Sequence, residues 1–146
     1  MKAFRHILLA TDFSPASNAA WRRGLALAKA SGARALVVHV IPSLAQMQTV
    51  PWVYREMEAE VRTDAARRLR TMVGRARKAG VRAKALLLSG TPAHEAIVRA
   101  ARRQRTDLIV VGTHGRTGLA GALIGSVAAR VVATAPCPVL AVRGRR

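Results

Sequence analysis

Acidic side chains are scarce in this chain: seven Asp and Glu stand against 25 Lys and Arg in 146 residues, a formal net charge of +18. Such a surface concentrates anions around itself. Cysteine is nearly absent. Cys137 alone cannot form an internal disulfide, which excludes a disulfide-stapled secreted scaffold and favours buried packing for the thiol. His6, His39, His94 and His114 show none of the short spacings, with Cys137 or with one another, that zinc sites use. Aromatic residues make up 3% of the chain, leaving few platforms on which bases could stack, and no helix-turn-helix, zinc-finger or RNP signature is present. No apolar run approaches the roughly 20 residues needed to span a bilayer. The opening MKAFRHILLATDFS meets Asp12 too early for a signal peptide, so the expected compartment is the cytoplasm, with no membrane partner. Two phosphate fingerprints are also missing: there is no G-x-x-x-x-G-K-[ST] run, and no G-x-G-x-x-G follows the first apolar run. A Walker-type NTPase and a Rossmann dehydrogenase are both poorly supported.

What is present is a chain with 51% hydrophobic residues, enough for one globular domain over 1–146. Apolar runs alternate with helix-like segments, suggesting five strands and four helices. The strands are expected at His6 to Ala10, Ala35 to Ile41, Ala83 to Leu88, Asp107 to Val111 and Val139 to Arg143. Ser14-Pro15 is a cap followed by proline at the first helical position, opening a helix to about Ala30, and Thr91-Pro92 repeats that start for a helix ending near Arg105. Pro42 closes the second strand. From Val53 to Ala79, Met57, Val61, Ala65, Leu69, Met72 and Ala76 mark the apolar stripe of a long helix, preceded by Trp52 and Tyr54 in the connection. Continuous apolar strands linked by helices imply an α/β fold, with a parallel sheet, helices on both faces and right-handed crossovers.

The most informative stretch is GTHGRTGLAGALIGS, Gly112 to Ser126. It follows the LIVV run and ends where an apolar helical segment begins, so glycine backbone, the Ser126 hydroxyl and free helix N–H groups can converge on an anion. Ligands of parallel α/β sheets sit beyond the carboxyl ends of the strands, where the strand order reverses. Asp12, Val40 and Ile41, and Gly112 all follow or end such strands. A carboxylate can accept both ribose hydroxyls, an apolar strand end can line an adenine, and glycine amides can bind phosphate.

The segments HILLATDFS, HVIP, SGTPAHEAI, TDLIVVGTHGRTGL, the GS at 125–126 and APCPVLAV resemble, in that order, the blocks of the universal stress protein family. Most specific is G-x-x-G, nine residues, then G-[ST], met by Gly112, Gly115, Gly125 and Ser126. The resemblance implies a three-layer, Rossmann-like sandwich with a five-stranded parallel sheet in order 3-2-1-4-5 and four helices. It also implies a bound ATP. Carried over residue by residue, Asp12 holds the ribose, Val40 presents backbone to the adenine and Thr11 lines the entrance. Gly112, Gly115, Gly125, Ser126 and Val127 wrap phosphates and ribose. Arg116 and His114 lie in the phosphate loop, where they either touch a γ-phosphate or face solvent. Mg²⁺ or Mn²⁺ would be held through the phosphates, with the Ser126 hydroxyl as the protein ligand. No catalytic set is evident, so the expected role is that of a nucleotide-dependent sensor or regulator, with slow ATP hydrolysis as an alternative.

The terminal strand Val139 to Val142 is an apolar edge, and both that and the resemblance point to a homodimer pairing through it, with Arg143, Arg145 and Arg146 near the interface. The net charge and the arginine clusters at 67–70, 75–78 and 102–105 leave a second class of partner open: nucleic acid contacted through its phosphates, an alternative ranked below a simply solvated basic surface.

Overall fold

The computed structural model describes residues 3–41, 51–90, 92–114 and 123–144. The expectations placed on Pro42, Thr91, Gly115, Arg116, Arg145 and Arg146 lie outside the described residues. Strand and helix alternate throughout: β1 (His6–Ala10), α1 (Pro15–Ser31), β2 (Arg34–Ile41), α2 (Pro51–Lys78), β3 (Ala83–Ser89), α3 (Ala93–Arg103), β4 (Leu108–Gly112), α4 (Ser126–Thr134) and β5 (Val139–Val142). The five strands form one parallel sheet in the order β3-β2-β1-β4-β5. Its centre is apolar on both faces, since Ile7, Leu8, Val37, Val38, Ile109 and Val110 are almost wholly buried. This burial is why these runs lack the alternation of a half-exposed strand.

Two cores flank the sheet. Alternate strand residues Ile7, Leu9, Val37 and Val110 pack with Trp21 and Ala28 of α1 and Leu69 and Met72 of α2. Leu8, Leu36, Val38 and Ile109 face the other way, toward Ile97 and Ala101 of α3 and Ala128 and Val131 of α4. Because the chain steps outward from β1 to β2 and β3, then returns to the opposite side of β1 for β4, the loops after β1 and β4 leave toward opposite faces. The crevice between them is the switch point of the sheet.

Helix starts follow local chemistry. Ser14 caps α1 by accepting the Ser17 N–H at 3.2 Å, with Pro15 next, and Gly32 ends the helix in the left-handed region at φ 65°. The start of α3 differs from expectation: Pro92 is itself the cap, with ψ 152°, and the helix is Ala93–Arg103. A proline fixes φ but not ψ, so the same residue serves as a cap or as the first helical position. Trp52 and Tyr54 lie in the first turns of α2 rather than in the connection before it. The expected stripe of α2 is buried at Ala65, Leu69, Met72 and Ala76, whereas Met57 and Val61 are half-exposed.

Close backbone approach accounts for three glycines. A Cβ on Gly24 of α1 would overlap a Leu9 methyl, so the helix sits directly on β1. A Cβ on Gly112 would lie 3.0 Å from the Ala16 carbonyl, and one on Gly144 3.1 Å from the Ala16 Cα. The first turn of α1 is thus wedged between the end of β4 and the segment after β5. Gly74 in α2 is the contrast, with nothing within 4 Å of an added Cβ. Gly74→Ala is therefore expected to stabilise the protein by about 0.5–1 kcal/mol, since only helix backbone entropy changes. Thermal unfolding monitored by circular dichroism should show a rise of about 2–4 °C.

Candidate functional site

The β4–α4 corner is built by backbone. Gly112 ends β4, the Thr113 N–H donates to the Val142 carbonyl at 2.9 Å, and the Gly125 N–H donates back to the Thr113 carbonyl. A Cβ on Gly125 would lie 2.9 Å from that carbonyl oxygen and 3.8 Å from the His114 Cα. Gly112 and Gly125 therefore serve internal packing, a reason for glycine that spacing alone does not disclose. Gly125 is the cap of α4 and supplies no side-chain acceptor, so the first N–H groups of the helix receive no side-chain cap. Ser126 and Val127 are exposed beside them.

His114 lies against this corner. Its Nδ1 and the Thr113 hydroxyl are 2.8 Å apart, and its Nε2 is buried without a hydrogen-bond partner among the described residues. A buried, unsatisfied ring nitrogen costs about 1–3 kcal/mol, so it marks a place where a polar partner belongs.

The β1–α1 turn leaves the neighbouring strand, since β1 pairs with β4. Asp12 Oδ1 accepts the Ser14 N–H at 2.9 Å, which fixes the carboxylate just past the end of β1. Thr11 is buried. Its hydroxyl accepts the Phe13 N–H at 3.0 Å and lies 3.2 Å from the Ser17 hydroxyl, so it shapes the turn from inside. Phe13 takes φ 63°, rare for a residue with a large side chain, and is held there by contacts on two sides. The His39 ring stacks on it with a centroid separation of 4.4 Å, and the Arg68 guanidinium lies 5.2 Å from its centroid. His39 Nδ1 donates to the Thr11 carbonyl at 2.8 Å, as expected of a hydrogen-bonded core histidine. Val40, one position before the end of β2, is partly buried and packs toward the α3–α4 core.

Asp12, Phe13 and His39 also border a cleft of about 640 Å³ closed by Glu60, Asp64 and Arg68 of α2. The hydrogen bond from Arg67 and the nearby Arg68 charge hold the exposed Asp64 carboxyl below its ordinary value. Three carboxylates on its walls make this cleft a poor phosphate site, and the uncapped α4 start a better one. Cys137, half-buried near β5, has its pKa pushed up by burial and by Asp107, in keeping with a packing role. Among the described residues no three His, Cys, Asp or Glu side chains are grouped to hold a metal ion, and no helix is long and apolar enough to cross a membrane.

A five-stranded parallel sheet with helices on both faces and a glycine-built corner at its switch point defines a doubly wound α/β protein of the 3-2-1-4-5 order. Within that class the chain belongs to the universal stress protein family, whose sequence model matches residues 3–143. A universal stress protein of Thermus aquaticus is 40% identical over 141 residues, spanning 96% of this chain and 99% of its own. The solved structure of the Methanocaldococcus jannaschii protein MJ0577 superposes with a TM-score of 0.87 at 27% identity, covering 98% of each chain. A universal stress protein solved in complex with cAMP superposes with a TM-score of 0.69 at 28% identity, covering 98% of this chain and 99% of that one.

Proposed function

We propose that this protein binds an adenine nucleotide, ATP, in the crevice between β1 and β4, and works in the cytoplasm as a nucleotide-dependent sensor or regulator in the stress response. The observation that carries this reading is the β4–α4 corner, where a helix start without a side-chain cap lies beside a buried His114 nitrogen lacking a partner among the described residues. Both features favour an oxyanion, and a phosphate supplies one. The structural relative in complex with cAMP supports an adenine nucleotide as its carrier.

In this reading Asp12, fixed by the Ser14 N–H, accepts the ribose hydroxyls. Val40 meets the adenine, while Thr11 contributes by holding the turn. Gly112, Gly115, Gly125, Ser126 and Val127 surround the phosphates and ribose, with Arg116 beside them. The exposed Ser126 hydroxyl can give one ligand to a divalent ion whose other ligands are phosphate oxygens and water, which suits Mg²⁺ or Mn²⁺. The ion would neutralise phosphate charge.

A homodimer through β5 completes the proposal. Leu140 on that edge strand and Val132 on α4 are 37% and 51% exposed, an apolar border that a second copy would cover.

Calorimetric titration of ATP with Mg²⁺ into nucleotide-stripped protein tests the central claim. Saturable binding near one nucleotide per chain, surviving high salt, is the expected result. Heat that vanishes with salt would reduce it to diffuse attraction toward a basic surface.

A further inference from the structure

The ends of the sheet differ in charge. Of the acidic residues, Asp12 follows β1, Glu56, Glu58, Glu60 and Asp64 lie in the first half of α2, and Glu95 is in the first turn of α3, all toward the carboxyl ends of the strands. Asp107 alone sits at the amino ends. Its carboxylate is already engaged by backbone, accepting the N–H groups of Arg5 at 2.7 Å and His6 at 3.1 Å.

A cavity of about 440 Å³ opens at that amino end, lined by His6 of β1, Arg34 of β2, Arg82 and Lys84 around the start of β3, and Gln104 and Thr106 after α3. The volume lies within the range of small-ligand sites. Strand pairing gathers these residues, with Arg34 opposite His6 and Lys84 opposite Leu36, two positions along β2 from Arg34. One further guanidinium lies beside the start of β3, where Arg77 donates to the Ala83 carbonyl at 3.1 Å. No carboxylate lines the cavity, and the ion pairs among the described residues all lie within α2, at Glu58 and Asp64.

Helix dipoles explain part of this arrangement and not the remainder. All four helices end toward this side, each contributing about half a negative charge, so together they offset about two cations. Arg34, Arg82 and Lys84 on the walls, with Arg77 beside Ala83, still leave an excess of positive charge. The neighbours of two lining cations are neutral: Lys84 Nζ donates to the Gln104 side chain at 2.9 Å and Arg82 to the Gly32 carbonyl at 3.4 Å. These bonds hold the groups in place without cancelling their charge.

We propose that this cavity is a second anion site, at the end of the sheet opposite the nucleotide crevice, which takes a ligand carrying two or more phosphate groups. The ligand is either a free oligophosphate or the backbone of a nucleic acid. No Phe, Tyr or Trp lines the cavity, so recognition rests on phosphate charge and is independent of base sequence. The site stands apart from the assignment of the crevice and does not rest on it.

The test uses tripolyphosphate and a short fluorescent single-stranded RNA as probes, titrated into the full chain and into two doubly charge-reversed variants, all carrying Gly125→Val so that phosphate uptake by the crevice is not counted. Arg34→Glu with Lys84→Glu alters the cavity. Arg22→Glu with Arg99→Glu makes the same change in net charge elsewhere, and all four side chains are exposed. The cavity pair is expected to weaken binding of at least one probe by about tenfold or more, with the control pair close to the parent. Equal losses in both pairs, or none in the cavity pair, would overturn the proposal by showing attraction to net charge alone. Arg34→Gln, which removes charge without reversing it, should give the same direction of change and guards against misfolding of the double variant. RNA binding tighter than tripolyphosphate, with a salt slope lowered by about 0.7 per lost contact, identifies a nucleic-acid backbone; the reverse order identifies a free oligophosphate.

Discussion

Gly125→Val is expected to lower ATP affinity by at least about a hundredfold while the protein still folds. The backbone of Gly125, at φ −61° and ψ 155°, is open to any residue, so the obstacle is steric. A Cβ there meets the Thr113 carbonyl oxygen at 2.9 Å, and an atom of the main chain cannot swing aside as a side chain would. Relief comes from spreading the corner, which breaks the Gly125 to Thr113 hydrogen bond and turns the first N–H groups of α4 off their target. Losing two hydrogen bonds to a charged phosphate, at about 1.5–3 kcal/mol each, accounts for the fall in affinity. Overpacking adds about 1–3 kcal/mol of destabilisation, visible as a lower melting temperature. Calorimetry on variant confirmed as folded by circular dichroism decides the matter. Parent-like affinity would remove the phosphate role of the corner.

Asp12→Asn should separate ribose from phosphate. The amide oxygen retains the bond from the Ser14 N–H, so the turn survives, but the charge and an acceptor for the sugar are lost. ATP affinity is expected to fall about tenfold to a hundredfold, the worth of a hydrogen bond to a charged group. Tripolyphosphate, which has no sugar, should bind the crevice as well as before or better, because a nearby negative charge has gone. Displacement of a fluorescent ATP analogue reads both ligands at the same place. Equal losses for the two would take the ribose away from Asp12.

The strands were legible because residues such as Leu36 to Val38 and Leu108 to Val111 are apolar without alternation, and burial on both faces demands that. The bounds of α2 were legible too, but not how much of its stripe is covered. Its stripe identifies one face of a helix but says nothing of where the sheet beneath it stops. At 28 residues the helix extends about 42 Å, against about 23 Å for the 7 residues of β3, so Met57 and Val61 belong to the part that overhangs. Asp12 and Gly125-Ser126 could be singled out because they fall at strand and helix ends, which local signals mark. The tertiary reasons for Gly24 and Gly112 could not, since Leu9 and Ala16 become their neighbours only after folding. A glycine inside a helix, costly relative to alanine, was the available hint for Gly24. The amino-end cavity is illegible for a similar cause: Arg34 is far in sequence from Arg82 and Lys84 and joins them only through the pairing of β2 with β3.

Ala16, with Gly112 on one side and Gly144 on the other, has an evolutionary consequence. Where backbone rests on backbone, there is no neighbouring rotamer to adjust and no methylene to trim in exchange for one gained. A larger residue at Gly112 or Gly144 can be accommodated only by shifting α1 or a strand end. Substitutions there should therefore be strongly epistatic, with paired changes departing from the sum of single ones by more than is usual for distant sites. Drift through this junction is confined to the smallest residues, even though none of the three is itself part of the proposed chemistry except Gly112.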